Sequence, residues 1–541
     1  MNFRVVALLL LIQVGNANAA TRWQEATDYV DQLQANTADG ICIAIAAIDG
    51  DAVTKHFAGT CNAESLFQIG SITKTFTAAV FADAVITDRV SLDTPLGELL
   101  DQTVPSFNGK PITLVDIATH TSGLPRLPDN INLDAEHMID PYLHYGEDEL
   151  LTFLAGHELV RAPGEQAEYS NLGMGLLGYL LTELYDRPYA ELVEGLVAGP
   201  LGMSDTVVVP QEQHENRVLS GHDGSFEVVA DWQFDVLAGA GALYSTVNDM
   251  VKYIKANLVA PVGPLGEQLQ FTHGEQRSAP ALGGAIGLAW IRWTRNDVVS
   301  IWHNGGTAGH RTFVGFTPAT GKGAVVLANA VLGEIDAIGA HLLGSESPLP
   351  SIVEVSDTSD GPLGEYLGTY SFTPDVSLKI TTDGERIYGQ MTGQPRFTTT
   401  NKSKDRYVID QVPAEIEFVR GESGVVEALT LYQNGTEQKA RKSGVEVTRE
   451  VVDVAVEVLD RYLGSYELAP GMIIEITRDG AQLFAQLTRQ PKFPVYAKTA
   501  TRFYFEVVVA EIEFNVQADE NRATELTLYQ NGIHVAPRTG D

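Results

Sequence analysis

The sequence predicts an α/β (α+β) domain, with an antiparallel sheet flanked by helices, followed by two small all-β barrels. Three observations carry that prediction. Apolar, strand-like runs at 41–48 and 323–330 bracket long helical patterns at 72–86, 171–184 and 245–258. Strands at both ends with helices between them give one sheet covered by helices. A stretch rich in Ser, Pro and Asp at 344–361 ends this pattern. Beyond it the chain repeats itself, in short alternating runs broken by Asp-Gly and Asn-Gly turns, the signature of strands and hairpins. At 541 residues the chain is too long for one ordinary domain.

From the N-terminus, Arg4 gives a short basic start, 5–14 is a mostly apolar run, and Ala17-Asn18-Ala19 is a small-residue cleavage site before Ala20. Residues 1–19 thus read as a secretory signal peptide, too short to span a bilayer; an uncleaved membrane anchor is the competing reading. The mature chain is expected to be secreted, periplasmic in a cell with two membranes, with no membrane insertion. The two cysteines, Cys42 and Cys61, would meet an oxidising compartment, where a disulfide is allowed. A hairpin turning at Asp49-Gly50 would set Cys42 opposite Phe57, so a bridge needs a bulge or bend, and two free thiols stay open as the alternative. With 36 basic and 70 acidic residues, the chain has a formal charge of −34. Such a field repels nucleic acid and anionic membranes. No His, Cys and carboxylate cluster has metal-ligand spacing, so neither metal nor cofactor is expected; the expected partner is a small-molecule or peptide substrate.

The catalytic signals lie within 20–343. In Phe67-Gln68-Ile69-Gly70-Ser71-Ile72-Thr73-Lys74 a hydroxyl and an amine stand three residues apart, neighbours on one helix face. A serine needs an adjacent base to become a nucleophile, and a helix N-terminus disfavours an ammonium near it. Alone, the motif is equally a capped helix with a solvated lysine. Pro163-Gly164 and the Ser170-Asn171 pair place Tyr169 and Asn171 at a loop-to-helix junction. An ammonium beside Tyr169 would lower its pKa and let it carry protons, while Asn171 would hold Lys74 or a substrate amide; alone, they are a packed tyrosine and a helix cap. The third segment is Trp302-His303-Asn304-Gly305-Gly306-Thr307, leading into a strand at 312–317. Its glycines admit a substrate backbone, and the Gly306 and Ser71 N–H groups would form an oxyanion hole. His303 orients substrate, carries charge part of the time, or is satisfied by its own loop.

In chain order these motifs resemble the serine β-lactamase and penicillin-binding-protein superfamily, in its class C-like branch of class C β-lactamases, DD-peptidases, D-aminopeptidases and esterases. The resemblance covers about 20–343 and includes the signatures at 112–124, 200–204 and 239–246. It implies Ser71 as the acylated nucleophile, Lys74 and Tyr169 as its proton partners, and Asn171, His303, Asn304, Gly305 and Gly306 as substrate-binding and oxyanion residues. The family's β-lactamases and DD-peptidases have Lys-Thr-Gly where this chain has His303-Asn304-Gly305. A neutral histidine holds a substrate carboxylate less firmly than a lysine, and the His-x-Gly form is similar to D-aminopeptidases and esterases.

The C-terminal third repeats Tyr366-Leu367-Gly368-Thr369-Tyr370 as Tyr462-Leu463-Gly464-Ser465-Tyr466, and Ala414-Glu415-Ile416-Glu417-Phe418 as Ala510-Glu511-Ile512-Glu513-Phe514, both offset by 96 residues. The Leu429-to-Gly435 run recurs at Leu526-to-Gly532, offset by 97. Two lipocalin-like small barrels are expected at 362–445 and 455–541, with a packing or substrate-gating role. D-aminopeptidase relatives carry two small barrels in this place, and the repeat also resembles an uncharacterised domain appended to such hydrolases. The expected function is an exported serine hydrolase working through a Ser71 acyl-enzyme, cleaving an amide carbonyl of a β-lactam or D-amino-acid-containing peptide. A carboxylesterase with the same site, or a sensor that stays acylated, is the alternative.

Overall fold

The computed structural model describes residues 20–539, apart from 133–139, 347, 353–360, 373–375, 393, 395, 411, 413, 422, 434–435, 444–451, 453, 470–471, 489–491, 506–509, 517–520 and 530–532. The expected signal peptide, 1–19, lies outside the described residues. The chain forms two compact units that divide between Ile352 and Val353.

The first unit is built on an eight-stranded sheet. Its strands are β1 (Ile43–Asp49), β2 (Ala52–Ala58), β3 (Arg277–Ala279), β4 (Gly284–Ile286), β5 (Ile291–Arg295), β6 (Val298–Gly306), β7 (Arg311–Thr317) and β8 (Lys322–Ala328). They lie in the order β2-β1-β8-β7-β6-β5-β4-β3, every pairing antiparallel. The N- and C-terminal strands of the sheet, β1 and β8, are therefore neighbours, second and third from one edge. Because side chains alternate across a strand, β1 and β8 each feed two cores. Ile43, Ile45, Ala324 and Val326 join a cluster with Tyr29, Val30, Ile335 and Ile338, from helices α1 (residues 20–35) and α5 (Ile335–Leu342). Ala44, Ala46, Val325 and Leu327 face the larger core. That core holds helices α2 (Thr73–Ile86), α3 (Asn171–Tyr185) and α4 (Val247–Leu258).

Helix α2 is buried on nearly every side, from Thr73 to Ala84. A helix can be surrounded in this way only if its polar groups are answered. Thr75 Oγ1 donates to Ile72 O at 2.8 Å, Thr77 Oγ1 to Gly239 O at 2.8 Å, and Thr73 Oγ1 accepts from Leu243 N at 3.1 Å.

The β1–β2 register corrects the expected hairpin. Asp49 pairs with Ala52 and Ala44 with Phe57, so the turn is Gly50-Asp51 and Cys42 lies beyond the end of the ladder. Cys42 is bonded to Cys61, the Cα atoms 6.0 Å apart. The required bend is at Gly59, whose φ is +94° and where a Cβ would stand 2.2 Å from Ile41 O. Only glycine fits both conditions.

The second unit contains two closed eight-stranded antiparallel barrels, one running from Gly368–Ser371 to Thr436–Lys442 and the other from Gly464–Ala469 to Ile533–Thr539. In each, successive strands are neighbours and the last pairs with the first, Tyr370 with Lys442 and Tyr466 with Arg538. Closure removes the exposed edges that short strands would otherwise present. The repeated tyrosines start each barrel core: Tyr370 Oη donates to Tyr366 O at 2.6 Å, and Tyr466 Oη to Tyr462 O at 2.7 Å. One surface ladder also recurs, with Arg406 bridging Glu415 and Glu417 in the first barrel and Arg502 bridging Glu511 and Glu513 in the second. Among the described residues no helix is long and apolar enough to cross a membrane.

Candidate active site

Ser71 lies in a 3-10 turn, Gly70–Ile72, that runs directly into α2. The short spacing therefore acts as the sequence requires, and Lys74 Nζ stands 2.9 Å from Ser71 Oγ. Lys74 is fully buried. Its Nζ also reaches Asn171 Oδ1 at 2.9 Å and Ala240 O at 2.6 Å. Burial, with the Arg126 charge as a second cause, holds the Lys74 pKa well below the usual lysine range. Desolvation therefore suppresses the ammonium. The Ala240 carbonyl arrives through a backbone contact: a Cβ on Gly239 would lie 2.8 Å from Gly178 Cα, so the 3-10 turn Ala238–Ala240 packs directly on α3.

Asn171 is the first residue of α3, behind the Ser170 cap, whose Oγ accepts from Gly173 N at 2.9 Å. Its Oδ1 faces Lys74 while Nδ2 donates to Tyr142 Oη at 2.9 Å. Tyr142 stacks on Phe234 with ring centroids 4.5 Å apart. The amide orientation is thus fixed from both ends.

Tyr169 adjoins Ser71 closely enough for that hydroxyl to act on its pKa, and Lys74 Nζ lies 5.0 Å from its ring centroid. The sequence-based expectation of a lowered Tyr169 pKa is corrected. Burial pushes the phenol up, and the Ser71 contact and Arg126 charge oppose that shift without reversing it. Desolvation of a phenolate outweighs nearby positive charge here, so Tyr169 is a neutral proton donor at ordinary pH.

Two residues around Tyr169 escaped the motif reading. His120 is buried, with φ +57°, and its imidazole lies 4.5 Å from the Tyr169 ring. Arg126 places its guanidinium 5.2 Å from the same ring centroid. The signature at 112–124 contains His120, but nothing in its spacing ties that residue to position 169.

The third segment is the end of β6, and strand alternation divides it. His303 is on the site side, fully buried, with its ring 6.2 Å from that of Tyr169. Its Nδ1 faces Asn304 O at 2.5 Å, and burial, followed by the Lys74 charge, lowers its pKa to about 3. It is therefore uncharged, and the expectation of part-time charge is corrected. Asn304 points to the opposite face: its Nδ2 donates to Asp336 Oδ2 on α5 at 2.7 Å. Its expected contact with substrate is corrected, since adjacent strand residues face opposite sides. Burial raises the Asp336 carboxyl to about 6 and lowers the Arg311 guanidinium to about 10.

Gly305 and Gly306 meet the turn that carries Ser71. A Cβ on Gly305 would stand 2.0 Å from Ile69 O, and one on Gly70 would stand 2.7 Å from Gly306 N. Thr312 Oγ1 locks the same junction by donating to Ile69 O at 2.9 Å. The Gly306 amide is thereby held against the residue preceding Ser71, whose own N–H is among those a helix start leaves unpaired. Among the described residues no group of three or more His, Cys, Asp or Glu is placed to hold a metal ion.

Such a constellation, on such a sheet, defines a serine acyl hydrolase. Residues 27–344 match the beta-lactamase family, and the chain belongs to it. Two further stretches, 354–443 and 448–538, match a domain of unknown function, DUF3471. Among relatives, the D-alanyl-D-alanine-carboxypeptidase/endopeptidase AmpH of Escherichia coli K12 is 30% identical over 281 residues, 49% of this chain and 71% of that protein. Penicillin-binding protein 4* of Bacillus subtilis is 22% identical over 444 residues, 73% of this chain and 93% of that one. A beta-lactamase/D-alanine carboxypeptidase from Pseudomonas syringae shares the fold with a TM-score of 0.52 at 19% identity, covering 61% of this chain and 99% of its own.

Proposed function

We propose that the protein is an exported hydrolase of peptides containing D-amino acids, which β-lactams acylate at the same serine. The observation that carries this reading is the buried Lys74 amine, 2.9 Å from Ser71 Oγ and also facing Asn171 and Ala240. A neutral lysine donates two hydrogens, to Asn171 Oδ1 and Ala240 O, and offers its lone pair to the Ser71 hydroxyl. Ser71 Oγ attacks the scissile carbonyl carbon as its proton passes to Lys74, and the Ser71 and Gly306 amides receive the oxyanion. Tyr169 gives its proton to the leaving nitrogen as the C–N bond breaks and regains one from Lys74. Water then attacks the ester, its proton returns through the same groups, and Ser71 Oγ leaves protonated.

His303 adds no charge to β6, which weakens the hold on a carboxylate in a β-lactam and at a peptide end alike. The Escherichia coli relative, a carboxypeptidase/endopeptidase by name, agrees with a peptide. The Cys42–Cys61 bond supports export, since disulfides persist in oxidising compartments.

The test incubates the full chain with a peptide ending in D-alanyl-D-alanine, a D-aminoacyl p-nitroanilide and a cephalosporin, with mass spectrometry of the protein. The expected result is peptide turnover, a transient Ser71 adduct, and loss of both in Ser71→Ala. Turnover that persists in Ser71→Ala would reject the nucleophile; rapid cephalosporin turnover without peptide cleavage would reject the substrate class.

A further inference from the structure

Arg126 occupies a defined place beside the nucleophile. Its carbonyl accepts the N–H groups of Asn171 at 3.0 Å and Leu172 at 3.2 Å, which fixes its backbone at the start of α3. Its side chain is exposed, and the guanidinium lies 5.2 Å from the Tyr169 ring centroid. Lys74 Nζ is 5.0 Å from that centroid. Two basic side chains therefore adjoin one phenol ring, and a guanidinium near an aromatic face is held by the ring's quadrupole.

Among the described residues no carboxylate pairs with Arg126. Arg22, Arg292, Arg295 and Arg311 also lack an ion pair, but their guanidinium groups donate to protein oxygens, whereas the Arg126 side chain makes no such bond among the described residues. In the same unit Arg161 meets Glu168, Arg187 meets Glu191, Arg217 meets Asp205, and Arg277 meets Asp116. Arg126 is held against the Tyr169 ring with no carboxylate partner among the described residues. On β6, His303 offers an uncharged ring and Asn304 turns away to Asp336, so β6 provides no cation for a substrate anion.

We propose that Arg126 is a specificity residue that binds a carboxylate carried by the acyl donor, on the Asn171 side of Ser71. The inference rests on the hydrolase reading of the site and adds the substrate's charge to it. A guanidinium presents two parallel N–H donors that match a carboxylate. Its exposure lets the ion pair form with modest desolvation, and hence with visible salt dependence.

The test compares two esters that differ in charge, p-nitrophenyl acetate and p-nitrophenyl hemisuccinate, by the rate of p-nitrophenolate release and by Ser71 adduct mass. The quantity read is the ratio of kcat/KM for hemisuccinate over acetate, which cancels general losses of activity. In the wild type the ratio favours hemisuccinate and narrows between 0.05 M and 0.5 M NaCl. In Arg126→Gln it falls about tenfold, and Arg126→Lys retains part of it. A ratio unchanged in Arg126→Gln, or one insensitive to salt, overturns the inference while leaving acylation intact. If neither ester labels Ser71, the hydrolase reading fails, and this inference fails with it.

Discussion

His120 grips the Tyr169 segment at three points. Its carbonyl accepts Glu168 N–H at 2.7 Å, its Nδ1 accepts Ser170 N–H at 3.1 Å, and its ring lies 4.5 Å from the Tyr169 ring. The residues on both sides of Tyr169 are thereby tied to one residue, Glu168 to its backbone carbonyl and Ser170 to its imidazole. The left-handed backbone at His120 is a conformation that non-glycine residues seldom hold without compensating contacts.

His120 is accordingly a positioning residue for Tyr169. His120→Asn retains a side-chain acceptor and tolerates the left-handed backbone, so most of kcat should survive. His120→Phe retains a ring but strands the Ser170 N–H, and kcat should fall about tenfold to a hundredfold with KM little changed. A purely structural role would instead lower melting temperature equally in both variants and leave kcat per folded molecule alone.

Lys74→Met replaces the amine with a side chain of similar volume in a fully buried position. Loss of a positioned base should slow Ser71 acylation by roughly 10²- to 10⁴-fold. Stopped-flow release of p-nitrophenolate measures this directly. A variant acylating within a factor of five of wild type removes Lys74 from the proton path.

Stability should fall as the solution is acidified below pH 6.5. Burial lowers His303 and His310 to about 3 and His273 to about 4. Between those values and 6.5 the unfolded chain binds protons that the folded chain refuses, so stability rises with pH across that window and is lost as pH falls. Two pH units below 6.5 correspond to roughly 2–3 kcal/mol per such histidine. Asp336, raised to about 6, works in the opposite direction between its ordinary value and 6, as do Asp140 and Asp231, which burial also raises; against them His120, His157 and His341 are lowered by burial as well. Urea midpoints measured from pH 7.5 to 4.5 should decline, and a flat profile would contradict the assignment.

The Cys42–Cys61 bond closes a loop with a sequence separation of 19. Loop-closure entropy of that size is about 3 kcal/mol. Replacing both cysteines by serine should lower stability by an amount of that order, measured by urea unfolding. Acylation of Ser71 should continue, because neither sulfur touches the site; a loss of acylation in the folded variant would show otherwise.

Local relationships were the legible part of the site. Ser71 and Lys74 are three residues apart, and helix geometry alone brings them together. The barrels were legible because the chain prints their pattern twice. Asn304 was misdirected because its role was carried over with the whole His303-to-Gly305 triplet; on strand β6, its place between His303 and Gly305 turns it to the far face. Tyr169 was assigned the wrong sign because neighbouring charge is visible in sequence while desolvation is a property of packing. His120, Arg126 and Tyr142 reach the site from loops and irregular segments, and no periodicity announces such an arrival.

The nucleophile stands at the mouth of a helix enclosed by protein along almost its whole length. Shifting Ser71 would require rearranging the interior, whereas the exposed side chain of Arg126 and the rim can change while the packing beneath them stays. New substrate preferences are therefore acquired most cheaply at the periphery, with the reacting serine serving as a fixed anvil.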